Sequence, residues 1–531
     1  MKKMSGLFLS MLLAVSVVFI GCSSTSPSST VSGNQPAAES SAKGENQLRI
    51  AISSSPPNLD SHLSTLAIVQ IVGSNLFETL VTIDKEYKVI PMLAEKIEVS
   101  PDGKTITFPL RKGVKFHNGK EMVADDVVAS LKRWGQLAST RAALDNVEIV
   151  AKDSHTVQFL MKAPNSSVLG AIASPAQPAV IMPKEVIDSA TKQGVKEYIG
   201  TGPYKLIEWK QDQYIHLQKY ADYQAVDMPS TGLGGKKQAK INDLFYYIVP
   251  DQATRVAGMQ SGEYDFADDV PLDNYDQLKA DPNLEAIVVK PKRSSMINLN
   301  LEGHVFGNQK MREAVSTALD RDAIMMAITG NPDFYRLDPG ILYREQALYS
   351  DAGKDKFNPN NPELAKQLLK EAGYAGQEVK ILTTNAYDYM YKTGIVVKDQ
   401  LEKVGIKVKV EVYDWPTMID LISDAKNVSK WDIYTTGFIL NMDPSQAMYL
   451  DSRNNFSGGY HNPRMDALLD TFRTTINPAE QKMLADQIQT LYYEDLPIIK
   501  IGDLHALTVY NKKLKNFTYF IDMPFWNATV Q

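Results

Sequence analysis

The sequence contains a single cysteine, Cys22, among its 531 residues. A chain with one cysteine forms no internal disulfide and cannot build a metal site from several thiolates. Its seven histidines never lie within four residues of one another, so no helix can present a pair of them to a metal ion. These shortages exclude a disulfide-stapled domain and the common cysteine and histidine metal motifs. We therefore expect neither a metal nor a cofactor.

Sequence motifs of common enzyme classes are also missing. The stretch 258–262 has its serine one place too late for a nucleophile elbow, and the glycine-rich stretch 232–235 lacks the lysine of a phosphate-binding loop. The 56 basic and 62 acidic residues give a net charge of −6 without a basic stripe, which argues against binding to nucleic acid. The prediction is a protein that is not an enzyme. Residues distant in sequence can still meet in space, so an extracytoplasmic hydrolase stays open as an alternative.

Long apolar runs are scarce, and the one that stands out is at the N-terminus. Two lysines precede an apolar run over residues 7–20, which is shorter than the ~20 residues that a membrane-spanning helix needs. This pattern predicts a secretory signal peptide over residues 1–21. The run ends at Gly21 and Cys22, and this ending resembles the lipobox of bacterial lipoproteins. The resemblance implies that Cys22 becomes the mature N-terminus and carries acyl chains such as palmitate, which anchor it to a membrane.

The residues that follow the cysteine differ in composition from the rest of the chain. Residues 22–47 are rich in serine, proline and glycine and contain few apolar side chains. Such a segment cannot bury enough surface to offset its ordering entropy, so it predicts a disordered tether. The remaining residues, from 48 onward, are too many for one hydrophobic core and predict two lobes or more.

The stretch 379–438 is the most informative about fold class. It reads as strand, helix, strand, helix and strand, with boundaries near 379–382, 389–404, 406–412, 416–425 and 433–438. This order predicts parallel strands joined by right-handed crossovers, and hence an α/β lobe. Ligands bind beyond the carboxyl ends of such strands, which directs attention to the loops after residues 382, 412 and 438. Further predicted elements are helices over 122–134, 311–326 and 362–372, a hairpin over 96–108 and a last strand over 506–510.

Six sequence blocks resemble the family 5 extracellular solute-binding proteins, the receptors of ABC importers for dipeptides, oligopeptides and nickel. They occur in the order that is usual in the family and extend over most of the chain. The blocks are residues 91–133, 200–204, 259–265, 298–320, 365–374 and 401–412.

The resemblance implies an α/β protein of two lobes, one of them with an extra subdomain, that closes on a solute in the cleft between the lobes. It assigns residues 48–75, 181–290 and 496–531 to lobe I, residues 76–180 to the extra subdomain and residues 293–495 to lobe II. It also implies a monomeric receptor outside the cytoplasm that delivers peptides to an ABC permease and its ATPase.

The resemblance also nominates ligand-binding residues by their position in the family. They are serines after the first strand and polar or aromatic residues in later loops: Ser53, Ser54, Ser55, Trp134, Ser174, Tyr387, Trp415, Phe438, Asn441, Asp443 and Tyr460. For Trp415, a wall of the ligand pocket and ordinary packing are both open interpretations.

One position departs from the peptide-binding members of that family. Those proteins carry an aspartate for the peptide ammonium after the equivalent of Thr436-Gly437, and an arginine for the peptide carboxylate near residues 383–387. This chain has Phe438 at the first position and no arginine in the second stretch; the nearest acid is Asp443. A buried charge without a partner is strongly destabilising. Three alternatives therefore stay open: Asp443 substitutes, backbone hydrogen bonds hold an oligopeptide, or the solute is a glycoside or a metal chelate. A chemoreceptor or a chaperone-like binding module would use the same cleft.

Overall fold

The computed structural model describes residues 46–303, 305–439, 441–521 and 523–531. The predicted signal peptide, Cys22 and all but the end of the predicted tether lie outside these residues. The first strand begins at Gln47, which the sequence analysis assigned to the tether. Within the described ranges, no helix is both long enough and apolar enough to cross a lipid bilayer.

The secondary structure mixes strands and helices throughout the described chain. The strands are β1 Gln47–Ile52, β2 Val81–Ile83, β3 Val89–Pro91, β4 Glu98–Val99, β5 Thr105–Pro109, β6 Val147–Asp153, β7 Thr156–Met161, β8 Tyr204–Lys210, β9 Tyr214–Lys219, β10 Asp243–Ile248, β11 Phe266–Ala267, β12 Leu284–Leu299, β13 Tyr335–Arg336, β14 Glu378–Thr383, β15 Lys407–Val412, β16 Ile433–Phe438, β17 Ile498–Asn511, β18 Leu514–Lys515 and β19 Thr529–Val530. The helices are α1 Ala67–Leu76, α2 Ala124–Leu137, α3 Ser167–Ala173, α4 Lys184–Asp188, α5 Gln252–Ser261, α6 Tyr275–Ala280, α7 Gln309–Ala318, α8 Arg321–Thr329, α9 Pro362–Glu371, α10 Asp388–Lys403, α11 Trp415–Ser423, α12 Pro463–Thr474 and α13 Pro478–Asp495.

The largest sheet has 11 strands among the described residues, in the order β15-β14-β16-β12-β17-β11-β1-β10-β9-β8, with β13 paired to β17. β14 is parallel to both β15 and β16, and α10 and α11 connect these three strands. Thr383 pairs with Val412 at the ends of β14 and β15, so the loops that follow them lie at the same edge of the sheet. The prediction of parallel strands with helical crossovers over 379–438 is confirmed.

Two long antiparallel strands, β12 and β17, join the two halves of this sheet. Their apolar side chains contribute to different hydrophobic clusters along their length. Ile297 and Ile499 pack with α7, α8 and α10, whereas Leu284 and Leu507 pack with α5 and α6. The pairing of β12 with β17 is irregular between Val289 and Arg293. The first half of β17 therefore packs with α7, α8 and α10, and its second half packs with α5 and α6.

A separate sheet, in the order β4-β5-β7-β6, lies within residues 76–180. β4 and β5 are antiparallel on either side of the Asp-Gly turn, which confirms the predicted hairpin. Phe108 of β5 and Phe159 of β7 meet edge to face with ring centroids 4.9 Å apart. α2 packs on this sheet and buries Trp134 completely.

The prediction of one helix over 311–326 is wrong. The chain forms α7 and α8, which are separated at Leu319 and Asp320. The Asp320 side chain accepts a hydrogen bond from the backbone N–H of Ala323 at 3.0 Å. An aspartate at this position favours the start of a new helix over continuation of the preceding one.

The segment 200–204 passes very close to the end of α1. A Cβ atom at Gly202 would lie 2.6 Å from the carbonyl oxygen of Leu76, so only glycine fits there. The His117 ring holds this segment from the other side: Nε2 contacts the carbonyl oxygen of Gly202 at 3.0 Å, and Nδ1 accepts from the N–H of Gly200 at 3.2 Å. Since Nδ1 is an acceptor here, the contacts require a neutral ring that carries its proton on Nε2.

Candidate functional site

The main candidate site is a cavity of about 610 Å³ beside the irregular part of β12, which we call the hinge cavity. This volume counts all the empty space between the cavity walls, including space that is open to solvent. Its walls come from the beginning of α1, the β2–β3 turn, the loop after α3, β12 and the loop after β16. The residues that border it are Thr65, Ala67, Gln70, Tyr87, Pro175, Ala176, Val289, Pro291, Lys292, Tyr343, Ile439 and Ile521.

Lys292 provides the positive charge at the wall of the hinge cavity. Its Nζ donates a hydrogen bond to the hydroxyl of Tyr519 at 2.6 Å. Burial lowers the pKa of Lys292, but Tyr519 and Asp268 raise it by more, so the side chain is charged at neutral pH. Among the described residues, no carboxylate lies within the 4.0 Å of Nζ that defines an ion pair. The phenol of Tyr519 accepts from one of the three donors of the ammonium group.

Arg293 is next in the chain and contacts lobe II. Its guanidinium carbon lies 5.3 Å from the centre of the Tyr389 ring, an arrangement that favours a cation over an aromatic face. Burial lowers the pKa of Arg293, and Tyr389 and Asp269 outweigh this and raise it. Tyr389 reaches this place because Gly437 has no side chain; a Cβ there would lie 2.6 Å from the Tyr389 hydroxyl.

Gln70 contributes a buried acceptor to the same wall. Its side chain is 3% exposed, and Nε2 donates to the carbonyl oxygen of Ser64 at 2.6 Å. This bond fixes which end of the carboxamide is nitrogen. The other end, Oε1, has no hydrogen-bond partner within the described part of the chain. An unpaired buried acceptor is destabilising, by about 1–3 kcal/mol.

Gln70 also borders a second cavity of about 490 Å³, which we call the Glu78 cavity. It contains a lysine as well, but this lysine is paired. Lys237 lies 3.5 Å from the Glu78 carboxylate and 4.4 Å from the centre of the Trp526 ring. Glu78 also accepts hydrogen bonds from Tyr223 at 2.8 Å and from Thr201 at 3.0 Å. Each charged group bordering this cavity therefore has a partner within the protein.

None of the 11 predicted ligand contacts borders the hinge cavity. Two are next in sequence to residues that do, since Ser174 precedes Pro175 and Phe438 precedes Ile439. The structure does bring Tyr387 and Trp415 together, in an edge-to-face contact with ring centroids 5.3 Å apart.

Tyr389, Tyr387 and Trp415 form a continuous aromatic row at the carboxyl edge of β14 and β15. The Tyr389 and Tyr387 ring centroids are 6.2 Å apart, and Trp415 is half-buried as the first residue of α11. Because Arg293 lies on the Tyr389 ring, the row leads away from the hinge cavity. A solute longer than the cavity could extend along it.

Phe438 packs inside lobe II. Its ring lies 5.4 Å from Tyr449 and 5.9 Å from Phe456, measured between centroids. The carbonyl oxygen of Asn441 accepts from Gln346 Nε2 at 2.7 Å. Phe438, the last residue of β16, and the backbone of Asn441 thus both contact other parts of the chain.

The proposal that Asp443 substitutes for the missing acid finds no support in its surroundings. The Asp443 side chain is 5% exposed and caps a short 3₁₀ turn. It accepts hydrogen bonds from the N–H and the hydroxyl of Ser445, at 2.8 and 2.6 Å, and from Gln446 at 3.3 Å. Burial raises the pKa of this carboxyl. Asp443 is occupied by its own loop.

The other predicted contacts are also held by the protein itself. The indole N–H of Trp134 donates to the carbonyl oxygen of Gln177 at 2.9 Å within the core, where the side chain is completely buried. Ser174 is buried at the end of α3, and Tyr460 donates to Asp495. Among the three serines after β1, Ser55 accepts from Gln211 at 3.1 Å, and Ser53 is half-buried and Ser54 exposed.

Sequence reasoning missed the residues that border the hinge cavity. One signal could have revealed Lys292: the stretch 290–293 places three basic residues and a proline inside a strand whose other half is apolar. Basic residues are rarely buried without a reason. Gln70, Tyr87 and Tyr343 carry no comparable signal, because only the fold brings their distant segments together.

Comparison with known proteins places this chain in a family. Residues 88–459, more than half of the chain, match the bacterial extracellular solute-binding proteins, family 5. The glutathione-binding protein GsiB of Escherichia coli strain K12 is 27% identical over 493 residues, which cover 90% of this chain and 92% of GsiB.

Two other similar proteins also match this chain over most of its length. The probable peptide ABC transporter periplasmic-binding protein y4tO of Sinorhizobium fredii is 27% identical over 469 residues, or 86% of this chain and 88% of y4tO. Among solved structures, the periplasmic binding protein AgaA of Agrobacterium tumefaciens R10, in complex with agropinic acid, has a TM-score of 0.77 and 25% identity, and the match covers 91% of this chain and 99% of AgaA. The two-lobed α/β fold class is thereby confirmed, and the chain belongs to the bacterial extracellular solute-binding proteins of family 5.

Proposed function

We propose that this chain is the substrate-binding component of an ABC importer, that it captures peptides, and that it delivers them to a membrane permease and its ATPase. The observation that carries the proposal is the family match together with the hinge cavity. Segments from both sides of β12 border that cavity, so a bound solute would contact both halves of the sheet at once. Closure around a solute is the property that a receptor of this kind needs.

Peptide cargo is supported by two of the relatives. One is named as a probable peptide transporter component and the other as a glutathione-binding protein, and glutathione is itself a small peptide. The hinge cavity has the mixed character that a peptide site needs, because apolar side chains such as Val289 and Ile521 alternate with Lys292, Gln70 and Tyr343.

Isothermal titration with a library of di- to pentapeptides tests the cargo. We expect at least some members to bind with dissociation constants in the micromolar range or tighter, about 8 kcal/mol or more of binding free energy. Binding confined to sugars or metal chelates would contradict peptide capture. A receptor also keeps its cargo intact, so a doubly labelled peptide should be recovered uncleaved after long incubation. Release of fragments would indicate a hydrolase instead.

The proposed anchor is a lipid on Cys22. It would hold a monomeric receptor at the extracytoplasmic face of the cell membrane, where the permease accepts the solute. A Cys22→Ser variant should lose incorporated palmitate label and move from the membrane fraction to the soluble fraction, while its peptide affinity stays unchanged. Retention of Cys22→Ser in the membrane fraction would contradict the lipid anchor.

A further inference from the structure

The starting observation is an imbalance of charge at the wall of the hinge cavity. Lys292 borders the cavity, is half-buried, and donates a hydrogen bond to the phenol of Tyr519 at 2.6 Å. An ammonium group carries three donors. Within the described residues, none of the carboxylates forms an ion pair with it.

Two acidic residues lie in the neighbourhood without neutralising Lys292 directly. Asp268 is buried and accepts a hydrogen bond from the hydroxyl of Thr508 at 2.8 Å. Asp269 is exposed and interacts through space with Arg293. Both remain beyond ion-pair distance of Lys292, and Arg293 adds a second positive charge beside it. Among the described residues, no carboxylate takes the remaining donors of the ammonium, and these are the donors that a bound solute would use.

The other polar groups that border the cavity indicate which further functional groups a bound solute would carry. Gln70 lies on the α1 side of the cavity and offers a buried carboxamide oxygen that lacks a partner in the described chain. Such an acceptor calls for an N–H or O–H donor. Proline, valine and isoleucine side chains form much of the wall between Gln70 and Lys292, and they favour an uncharged body.

From this geometry we infer that the captured solute carries a carboxylate, which binds the Lys292 ammonium at β12, and a hydrogen-bond donor that reaches Gln70 Oε1. Of the two neighbouring cations, Lys292 borders the cavity and Arg293 does not. The one ammonium at the wall matches the single charge of a carboxylate better than the double charge of a phosphate, which would need more donors. This inference rests on the proposed receptor function and names the chemical class of its solute. In this chain, the cation that binds a peptide carboxylate would be Lys292, and not an arginine near residues 383–387.

Matched pairs of ligands test the inference. One half of the library holds di- to pentapeptides, each with a free C-terminal carboxylate and as its C-terminal amide; the other half holds uronic acids and their methyl esters. Titration calorimetry with the full chain should show binding of the acids and at least tenfold weaker binding of each neutral partner. Lys292→Met should lower the affinity for the acids at least tenfold and remove the difference within each pair.

Three variants complete the design. Lys292→Arg keeps the charge and should retain most of the preference for acids. Lys290→Met removes an exposed lysine two residues away that does not border the cavity, and it should bind like the wild type. Gln70→Leu should weaken acids and neutral partners by the same factor, because it removes the other end of the site.

The outcomes separate this inference from the proposed function. If uronic acids bind in preference to their esters while no peptide binds, the carboxylate inference stands and peptide capture fails. If peptides bind equally as acids and amides, or if Lys292→Met leaves the preference unchanged, peptide capture stands and the carboxylate inference is overturned. An absence of binding in both halves overturns both.

Discussion

The hinge cavity and the Glu78 cavity share Gln70 in their walls, and each is bordered by a lysine, but within the described residues only one of these lysines forms an ion pair with a carboxylate. Lys237 is paired with Glu78, which is itself bonded to Tyr223 and Thr201. In the part of the chain that the structure describes, Lys292 bonds to the Tyr519 phenol and forms no ion pair with a carboxylate. A buried ion pair is important for stability, because removal of either partner leaves the other charge buried without compensation, and this is strongly destabilising. An ammonium with donors left over is available to a ligand.

This difference predicts that removal of a charge from the Glu78 cavity lowers stability, whereas removal of the Lys292 charge from the hinge cavity weakens ligand binding. The largest effect belongs to Glu78→Gln. We expect it to lower the free energy of unfolding by about 3–5 kcal/mol, because it leaves Lys237 buried without a countercharge. Urea denaturation followed by circular dichroism measures the change. The double variant Glu78→Gln/Lys237→Met should recover part of the loss, and a loss no larger than that of Lys292→Met would break the comparison.

Acidification should lower the stability of the folded protein through His117, which bonds to the segment 200–204. Burial lowers the pKa of His117 to about 4, although the bond to Gly202 opposes this. The unfolded chain, with a pKa of about 6.5, then binds more protons than the folded chain between pH 6.5 and pH 4. Stability therefore falls as the pH drops through that window, by about 1–2 kcal/mol once the partial exposure of the ring is taken into account.

The measurement is a urea denaturation series from pH 7 to pH 4. His117→Gln keeps an acceptor and a donor in place but does not titrate, so its stability should decline less steeply than that of the wild type. Parallel curves for the two proteins would show that His117 does not link pH to the segment 200–204.

A smaller effect is expected at the aromatic row. Trp415→Ala should weaken the binding of tetra- and pentapeptides about tenfold, or about 1.4 kcal/mol, and should change the binding of dipeptides less, because the row leads away from the hinge cavity. Calorimetry with peptides of increasing length checks this. Unchanged affinity at every length would assign Trp415 to packing against Tyr387 alone.

The smallest effect is the stability of Lys292→Met. Since the removed ammonium has no ion pair among the described residues, we expect the free energy of unfolding to change by less than about 1 kcal/mol. Urea denaturation without ligand measures it, with Lys290→Met as the control. A large loss would mean that Lys292 holds the hinge together and is not reserved for a solute.

Much of the fold was predictable from local patterns. Alternation over 406–412 and the amphipathic helix before it predicted parallel strands that the structure confirms. The break at Asp320 was missed because the apolar face continues across it, and β12 was missed because Lys290 and Lys292 interrupt its apolar half. Local periodicity cannot predict a strand such as β12, because long-range pairing with β17 determines its conformation.

The candidate site was much less predictable. Family position pointed to Asp443 and Trp134. In the structure, Trp134 bonds to Gln177, which is remote in sequence, and Asp443 bonds to Ser445 in its own loop. The hinge cavity depends on Gln70, Lys292 and Tyr343 meeting in space, and no spacing rule connects residues so far apart. The local signal for this site in the sequence is the group of basic residues in the stretch 290–293.

The most direct test of the central claim is native mass spectrometry of the purified full chain after incubation with the mixed library of acids and neutral partners. The account predicts that the wild type retains one small molecule, that this molecule leaves intact on collisional activation, and that its mass matches a carboxylate member. Lys292→Met should appear mostly as the bare chain under the same conditions. A wild type that retains nothing, or that retains neutral partners as readily as acids, would contradict the account.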